Sequence, residues 1–180
     1  MFEALTAALI VLEADVPHMY LDTRGNVTVG VGHLLATVQE AYGLPFLLPT
    51  GSPAEQHDIL NDFEAIKQSK PGMLVQYYAR AADLRLSAED RQKLLRADIQ
   101  RTHTDLQRDL PVLSDLPEPA QEAVLNMAFE LGPRGLMEGY PKLIKALHES
   151  DWQQCAAECR IADASVQRNM TNKKFFLSIV

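Results

Sequence analysis

The first residues of the chain place apolar side chains at steps of three and four residues, which is the spacing of one face of a helix. The apolar positions are Phe2, Leu5, Leu9 and Leu12. They predict a short helix over residues 2–13, which ends near Glu13.

The period then changes in the stretch MYLDTRGNVTVGVGH, where valine alternates with threonine or glycine over residues 27–32. Alternation with a period of two is typical of a β-strand. The residues Thr-Arg-Gly-Asn separate this run from an earlier β-prone run, and such residues favour a turn. We therefore expect a small β-hairpin here, with a third strand as an option.

Most of the remaining chain has helical periodicity. Residues 36–51 are rich in glycine and proline and predict an irregular connection, whereas Ser52 to Glu55 read as a capping box that begins a helix to about Ser69. Further predicted helices cover residues 74–84 (a weaker stretch), 87–108, 118–132, 140–148, 151–161 with Ser150 as its cap, and 167–177. The pattern predicts a mainly α (α+β) protein.

The net charge and the lengths of the apolar runs exclude some classes of function. The chain has 180 residues and a net charge of −7, so nucleic acid is a poor partner because phosphate contacts need many Lys and Arg side chains. No apolar run is long enough to span a bilayer, and Glu3 and the lack of basic residues argue against a secretory signal. We expect a monomer with no stable membrane association.

Cys155 and Cys159 lie four residues apart in a predicted helix. They could be metal ligands, a strained disulfide or two small buried residues. We expect the last, because no other Cys or His cluster accompanies them, and the five histidines lack metal-site spacing. The sequence therefore predicts no metal and no cofactor.

The candidate chemistry lies between residues 13 and 33. Glu13 follows an apolar helix that would favour a protonated acid, and Asp22 lies in a polar turn that would favour an ionised carboxylate. Glycosidic hydrolysis needs such a pair, one to protonate the leaving oxygen and one to handle water. From the residues alone, capping or solvated roles stay open for both.

The stretch LIVLEADVPHMYLDTRGNVTVGVGHLL resembles the opening motif of the phage-type lysozymes, glycoside hydrolase family 24. It has the helix-end Glu, an Asp nine residues on, a Thr six further, and Gly-x-Gly-His. The resemblance implies that Glu13 is the general acid, that Asp22 and Thr28 position water for an inverting cleavage, and that His33 supports the site. Gly32 is expected to contact substrate.

A looser resemblance continues along the chain. LSAEDRQKLLRADI is similar to the long helix between the lobes of that family, and AVLNMAFELG to its central buried helix, which implies substrate contacts for Asn126 and Glu130. VQRNMTNKKFF resembles the closing helix, whose leading arginine, here Arg168, is expected to support the site by pairing with the catalytic glutamate.

The resemblance implies a single lysozyme-like domain over residues 1–180, with the substrate between two lobes. The N-terminal lobe would span about 14–86 and carry an enlarged insertion at about 36–84. The helical C-terminal lobe would span about 87–180 together with helix 1–13. The insertion, the acidic charge, and Ala14 where the family commonly has glycine depart from the family pattern.

The implied activity is that of a muramidase, which hydrolyses the β-1,4 bond between N-acetylmuramic acid and N-acetylglucosamine in peptidoglycan. The protein would be made in the cytoplasm and act at the cell wall, as a phage endolysin after holin release or as a secreted antibacterial effector with a cognate inhibitor. Two other readings stay open, a glycan-binding or structural module that does not cut, and a transglycosylase that forms anhydro ends.

Overall fold

A computed structural model describes residues 2–179, so Met1 and Val180, the two ends of the predicted domain, lie outside the described residues. About 60% of the chain is helical, and the described part contains nine α-helices and one three-stranded antiparallel sheet. The mainly α prediction is confirmed. Within residues 2–179, no helix has both the length and the apolar composition to cross a membrane.

The elements follow one another with short connections. They are α1 (Glu3–Leu12), β1 (Val16–Leu21), β2 (Val27–Gly30), β3 (His33–Leu34), α2 (Val38–Tyr42), α3 (Gln56–Lys67), α4 (Val75–Tyr78), α5 (Ala88–Asp109), a 3-10 helix (Pro111–Asp115), α6 (Glu118–Gly139), α7 (Pro141–His148), α8 (Trp152–Glu158) and α9 (Val166–Leu177).

Contacts divide the chain into two units, which we call the sheet unit and the helical unit. The sheet unit is Glu13–Arg96, and the helical unit combines Met1–Leu12 with Ala97–Val180. The helical unit is therefore formed from two separate stretches of chain, with the whole sheet unit inserted between them.

The sheet unit has its own apolar core, formed where β1 and β2 pack against α3 and β1 also packs against α4. The buried apolar side chains are Met19, Leu21, Val27, Val29, Leu35, Ala41, Phe46, Ile59, Phe63, Ile66, Tyr78, Ala82, Leu84 and Leu86. Strand β2 turns Val27 and Val29 into this core, so Thr28 between them points to the opposite face of the sheet. The third strand pairs His33 with Val29.

The helical unit is arranged around α6, which packs against α1, α7 and α9. Two α6 carboxylates hold the start of α1, because Glu118 Oε1 accepts from the Phe2 N–H at 2.7 Å and Glu122 Oε1 accepts from the Leu5 N–H at 2.9 Å. These bonds satisfy N–H groups that a helix leaves unpaired in its first turn.

The sequence predicts that the central helix, α6, ends at Gly132. The structure has a kink at this residue, and the helix continues beyond it. Gly132 has φ of +72°, which favours glycine, and the chain resumes a helical path from Pro133 to Gly139. Proline suits the first turn of this second segment because its missing N–H has no partner there in any case.

Several predicted boundaries are wrong. The segment 36–51 contains the short helix α2, and the helix predicted from Ser52 begins at Gln56, where Glu55 and Asp58 form the capping box. Pro53 instead forms a β-bridge with Leu47.

Two more predicted helices change in length or cap. The weak helix predicted over 74–84 shrinks to the single turn α4. The cap of α8 is Asp151, whose Oδ1 accepts from the Gln154 N–H at 2.9 Å, and not Ser150. Asp and Ser are both good caps, so composition alone does not separate neighbours.

Candidate active site

Glu13 directly follows α1 and is half-buried. The apolar run before it is only partly packed, because Leu9 is buried while Val11 is 67% exposed. Ala14 stands where the phage-type lysozymes, which this segment resembles, commonly have glycine. Its φ is not positive, because the non-glycine residues with positive φ within residues 2–179 are Phe2 and Ser150. The backbone after Glu13 therefore does not require glycine.

Asp22 lies at the start of the β1–β2 turn and both of its carboxylate oxygens accept hydrogen bonds. Oδ1 accepts from the Arg24 and Asn26 backbone N–H groups, each at 2.8 Å, and Oδ2 accepts from Asn26 Nδ2 at 3.0 Å. Partial burial raises the pKa of the Asp22 carboxyl, but these bonds from Asn26 and Arg24 outweigh burial and hold the pKa below its usual value. Asp22 is therefore ionised at neutral pH.

Thr28 is buried on β2, and its Oγ1 donates to the Asn26 carbonyl at 3.2 Å. The hydroxyl proton is used in this bond, which leaves the Oγ1 lone pairs as acceptors. Asn26 therefore contacts both Asp22 and Thr28, so one residue of the turn fixes the two side chains that sequence analysis assigned to water.

Tyr20 connects these residues and was missed by sequence analysis. It pairs with Thr28 across β1 and β2, so their side chains share one face of the sheet. Burial, and then the charges of Glu13 and Asp22, raise the pKa of the Tyr20 phenol to about 12. The phenol therefore lies within electrostatic range of both carboxylates, and it stays protonated at neutral pH. Its position two residues before Asp22 on an alternating strand was the available signal.

The Gly-x-Gly-His segment forms the turn and short strand after β2. Gly30 and Gly32 have φ of +64° and +74°, so the turn uses backbone conformations that other residues rarely adopt. His33 is half-buried on β3 opposite Val29, and Gly32 is exposed. The supporting role of His33 and the substrate contact of Gly32 stay predictions.

A bidentate ion pair fixes the segment that follows Glu13. Arg91 Nε lies 2.6 Å from Asp15 Oδ1 and Nη2 lies 3.1 Å from Asp15 Oδ2, while Nη1 donates to the Leu86 carbonyl at 2.7 Å. A side chain added at Gly30 would meet Arg91 Cγ at 4.0 Å. Arg91 of α5 therefore binds Asp15 and lies close to Gly30, and no pattern in the sequence identifies it.

The helical unit contains a second polar cluster around Arg168, which is buried. Its Nη1 donates to the Asn126 carbonyl at 3.1 Å and to Asn126 Oδ1 at 3.0 Å, and its Nε lies 3.0 Å from Glu130 Oε2. Asn126 Nδ2 donates to Asn172 Oδ1 at 2.7 Å. No pattern in the sequence identifies Asn172 as a member of this cluster.

The cluster also shows what holds Asn126. This residue is fully buried and its amide binds Arg168 and Asn172, so it anchors the arginine, and its expected substrate contact stays a prediction. Glu130 is partly exposed and stays a predicted substrate contact. The arginine pairs with Glu130 within this unit, and its expected pairing with the catalytic glutamate stays a prediction.

The two cysteines are free and buried, as predicted. Burial raises the pKa of the Cys155 thiol to about 12 and that of Cys159 to about 11. Among residues 2–179 no group of three His, Cys, Asp or Glu side chains is arranged to hold a metal ion.

Comparison of the chain with known proteins assigns no family, since no protein-family model matches it and no curated protein gives a significant match.

Proposed function

We propose that the protein is a peptidoglycan muramidase with a lysozyme-like fold, and that Glu13, Asp22 and Thr28 carry the reaction. One observation supports this most strongly. The hairpin holds Asp22 as an ionised carboxylate, while the nearby Tyr20 phenol feels the charges of both Asp22 and Glu13. Two carboxylates on different elements, both within electrostatic range of one phenol, match the pair of carboxyl groups that a glycosidase needs.

Water activation follows from the unused acceptor positions. Asp22 Oδ2 accepts one hydrogen bond from Asn26, which leaves a second lone-pair direction, and Thr28 Oγ1 keeps acceptor capacity. A water that donates to both oxygens would turn its own lone pair toward the anomeric carbon. Asp22 takes the proton as the C–O bond forms, which is base catalysis with inversion.

Glu13 is the general acid in this proposal. It donates its proton to the glycosidic oxygen as the bond to the anomeric carbon breaks, so that each product ends with a hydroxyl group. Arg91 acts as a positioning residue, because its bidentate pair with Asp15 fixes the backbone two residues after Glu13.

The deciding experiment compares purified peptidoglycan treated with wild type and with Glu13→Gln, a near-isosteric change. We expect wild type to release fragments with reducing ends and the variant to lose at least ~100-fold of the rate, which is typical of a lost general acid. Anhydro ends would identify a transglycosylase. Binding without release of fragments would favour a non-catalytic glycan-binding module.

The proposed substrate, the glycan strand, requires the protein to reach the cell wall. We propose release through holin pores or dedicated secretion as the route. In the second case a cognate inhibitor protein would protect the producer, and expression with a periplasmic signal but without that inhibitor should lyse cells. Lysis that persists in Glu13→Gln would contradict a role for cleavage.

A further inference from the structure

The segment between α3 and α5 carries an exposed apolar ridge, formed by Met73, Leu74 and Tyr77. Their side chains are 37%, 79% and 41% exposed. These three residues fall within five positions of the chain, whereas exposed large apolar side chains usually occur singly. A cluster of this kind marks a binding surface.

Contacts with the buried Tyr78 hold the segment that carries the ridge. The hydroxyl of the fully buried Tyr78 donates to the Lys70 carbonyl at 2.9 Å and accepts from the Met73 N–H at 3.3 Å. The Tyr77 ring packs edge-on to the Tyr78 ring with centroids 5.3 Å apart. Tyr77 therefore has a fixed ring that needs little ordering on binding.

The ridge also lies beside the turn that carries Asp22. Pro71 lies against Gly25, since a Cβ built at Gly25 would be 3.9 Å from Pro71 Cβ. The Gly25 N–H in turn donates to the Asp22 carbonyl at 3.1 Å. Leu74 follows Pro71 by three residues, so their Cα atoms are at most about 11 Å apart.

A second contact holds the ridge to strand β1. The His18 imidazole donates through Nε2 to the Val75 carbonyl at 3.0 Å. His18 is buried, and the backbone of α4 lies on the strand that leads into Asp22. The segment that carries the ridge and the turn that carries Asp22 are therefore both attached to strand β1 within the sheet unit.

We propose that the Met73, Leu74 and Tyr77 ridge is a glycan subsite, which binds sugar rings of the strand beyond the bond that is cut. This inference rests on the proposed function. The faces of pyranose rings present C–H groups, which pack on an aromatic ring and on aliphatic side chains. A linear polymer bound at Asp22 must continue past its turn, and the ridge is the apolar surface beside it.

The size of the ridge favours this ligand over a protein partner. A stable protein interface uses about 20–30 residues on each side, whereas the ridge offers three apolar side chains. A row of two or three sugar rings matches its extent.

The test compares Tyr77→Ala and Leu74→Ser with Val166→Ser, a control at a side chain that is 77% exposed in the helical unit. Cleavage of long purified glycan strands gives KM and kcat, and thermal unfolding checks the fold. We expect KM to rise about 3- to 10-fold in the two ridge variants, which corresponds to one lost aromatic or aliphatic contact. We expect kcat within about twofold and no change in the control, since the ridge would bind sugar rings beyond the bond that breaks.

Binding is measured separately, by sedimentation with insoluble peptidoglycan, in a Glu13→Gln background. If the ridge variants keep wild-type KM and wild-type sedimentation, the subsite is wrong while the muramidase proposal stands. If wild type binds without cutting and Tyr77→Ala weakens binding, the muramidase proposal fails and the subsite stands. Absence of both cleavage and binding in wild type overturns both.

Discussion

The turn after β1 orients Asp22 through atoms that lie within four residues of it. Three donors from Arg24 and Asn26 engage the carboxylate, and the Asn26 carbonyl also engages Thr28. Because these bonds are local, Asn26 links the positions of the two side chains directly. The side chain of Asn26 is the part of this arrangement that can be removed without changing the backbone.

We predict that Asn26→Ala raises the pKa of Asp22 toward its ordinary value, because the donor to Oδ2 is lost while the backbone donors remain. A lowered pKa adds stability above the ordinary pKa and loses it as pH falls through the folded value, so the variant should lose this stability at higher pH than wild type. Carboxyl titration by NMR and unfolding between about pH 2 and 6 measure both effects.

The exposed Thr23 provides the matched control in the same turn. Thr23→Ala should leave the titration of Asp22 unchanged. An unchanged titration in Asn26→Ala as well would show that the backbone N–H groups alone set the pKa.

Residues were predictable from the sequence where their partners are close in the chain. The spacing of Glu13, Asp22 and Thr28 is a local property of one helix end and one hairpin. Asn172 and Arg91 act on residues 46 and 76 positions away, and no periodicity in a single sequence encodes such a partner.

At the scale of elements, α5 is the helix that fixes the first strand. Its Arg91 side chain is 14% exposed and bonds to the half-buried Asp15, while the Leu86 N–H before the helix donates to the Pro17 carbonyl at 2.8 Å. The entry to β1 is therefore attached to α5 by one ion pair and one backbone bond.

We predict that Arg91→Ala lowers the free energy of unfolding by about 2 kcal/mol, because it leaves a partly buried carboxylate and a carbonyl without their partner. Lys93→Ala in the same helix is the control, since its ion pair with Glu89 is exposed. Its unfolding midpoint in urea should match wild type. Equal loss in both variants would contradict a specific contribution of the Asp15 pair.

Elements were predictable in type but not always in length. Helices with a clear period and strong end signals, such as α5 and α7, lie close to where the pattern predicts them. The segment from Leu44 to Leu84 was harder, because Leu47 forms bridges with Pro53 and Arg85 that depend on tertiary contacts. Such contacts outweigh the local preference for a helix start at Ser52.

At the scale of the whole molecule, the side chains that serve as spectroscopic and chemical probes lie in one of the two units. The single tryptophan, Trp152, and both cysteines lie in the helical unit, on or next to α8. Both thiols are buried within that unit. The rate at which they react with a reagent therefore measures opening of the helical unit.

We predict that Cys155 and Cys159 react with iodoacetamide in the native protein at less than about one hundredth of the rate in urea. Burial and raised pKa values leave very little thiolate at pH 8. Mass spectrometry of labelled peptides measures each site. Cys155→Ala isolates Cys159 as the control, and rapid native labelling would contradict the prediction.

The discontinuous helical unit has a consequence for synthesis on the ribosome. Helix α1 is made first, yet the carboxylates that hold its start, Glu118 and Glu122, are 116 and 117 residues further along. The complete sheet unit emerges in between and can close around its own core before those partners exist. The nascent chain must therefore keep α1 without these partners until Glu122 has been made, and α1 is the segment on which a chaperone would act.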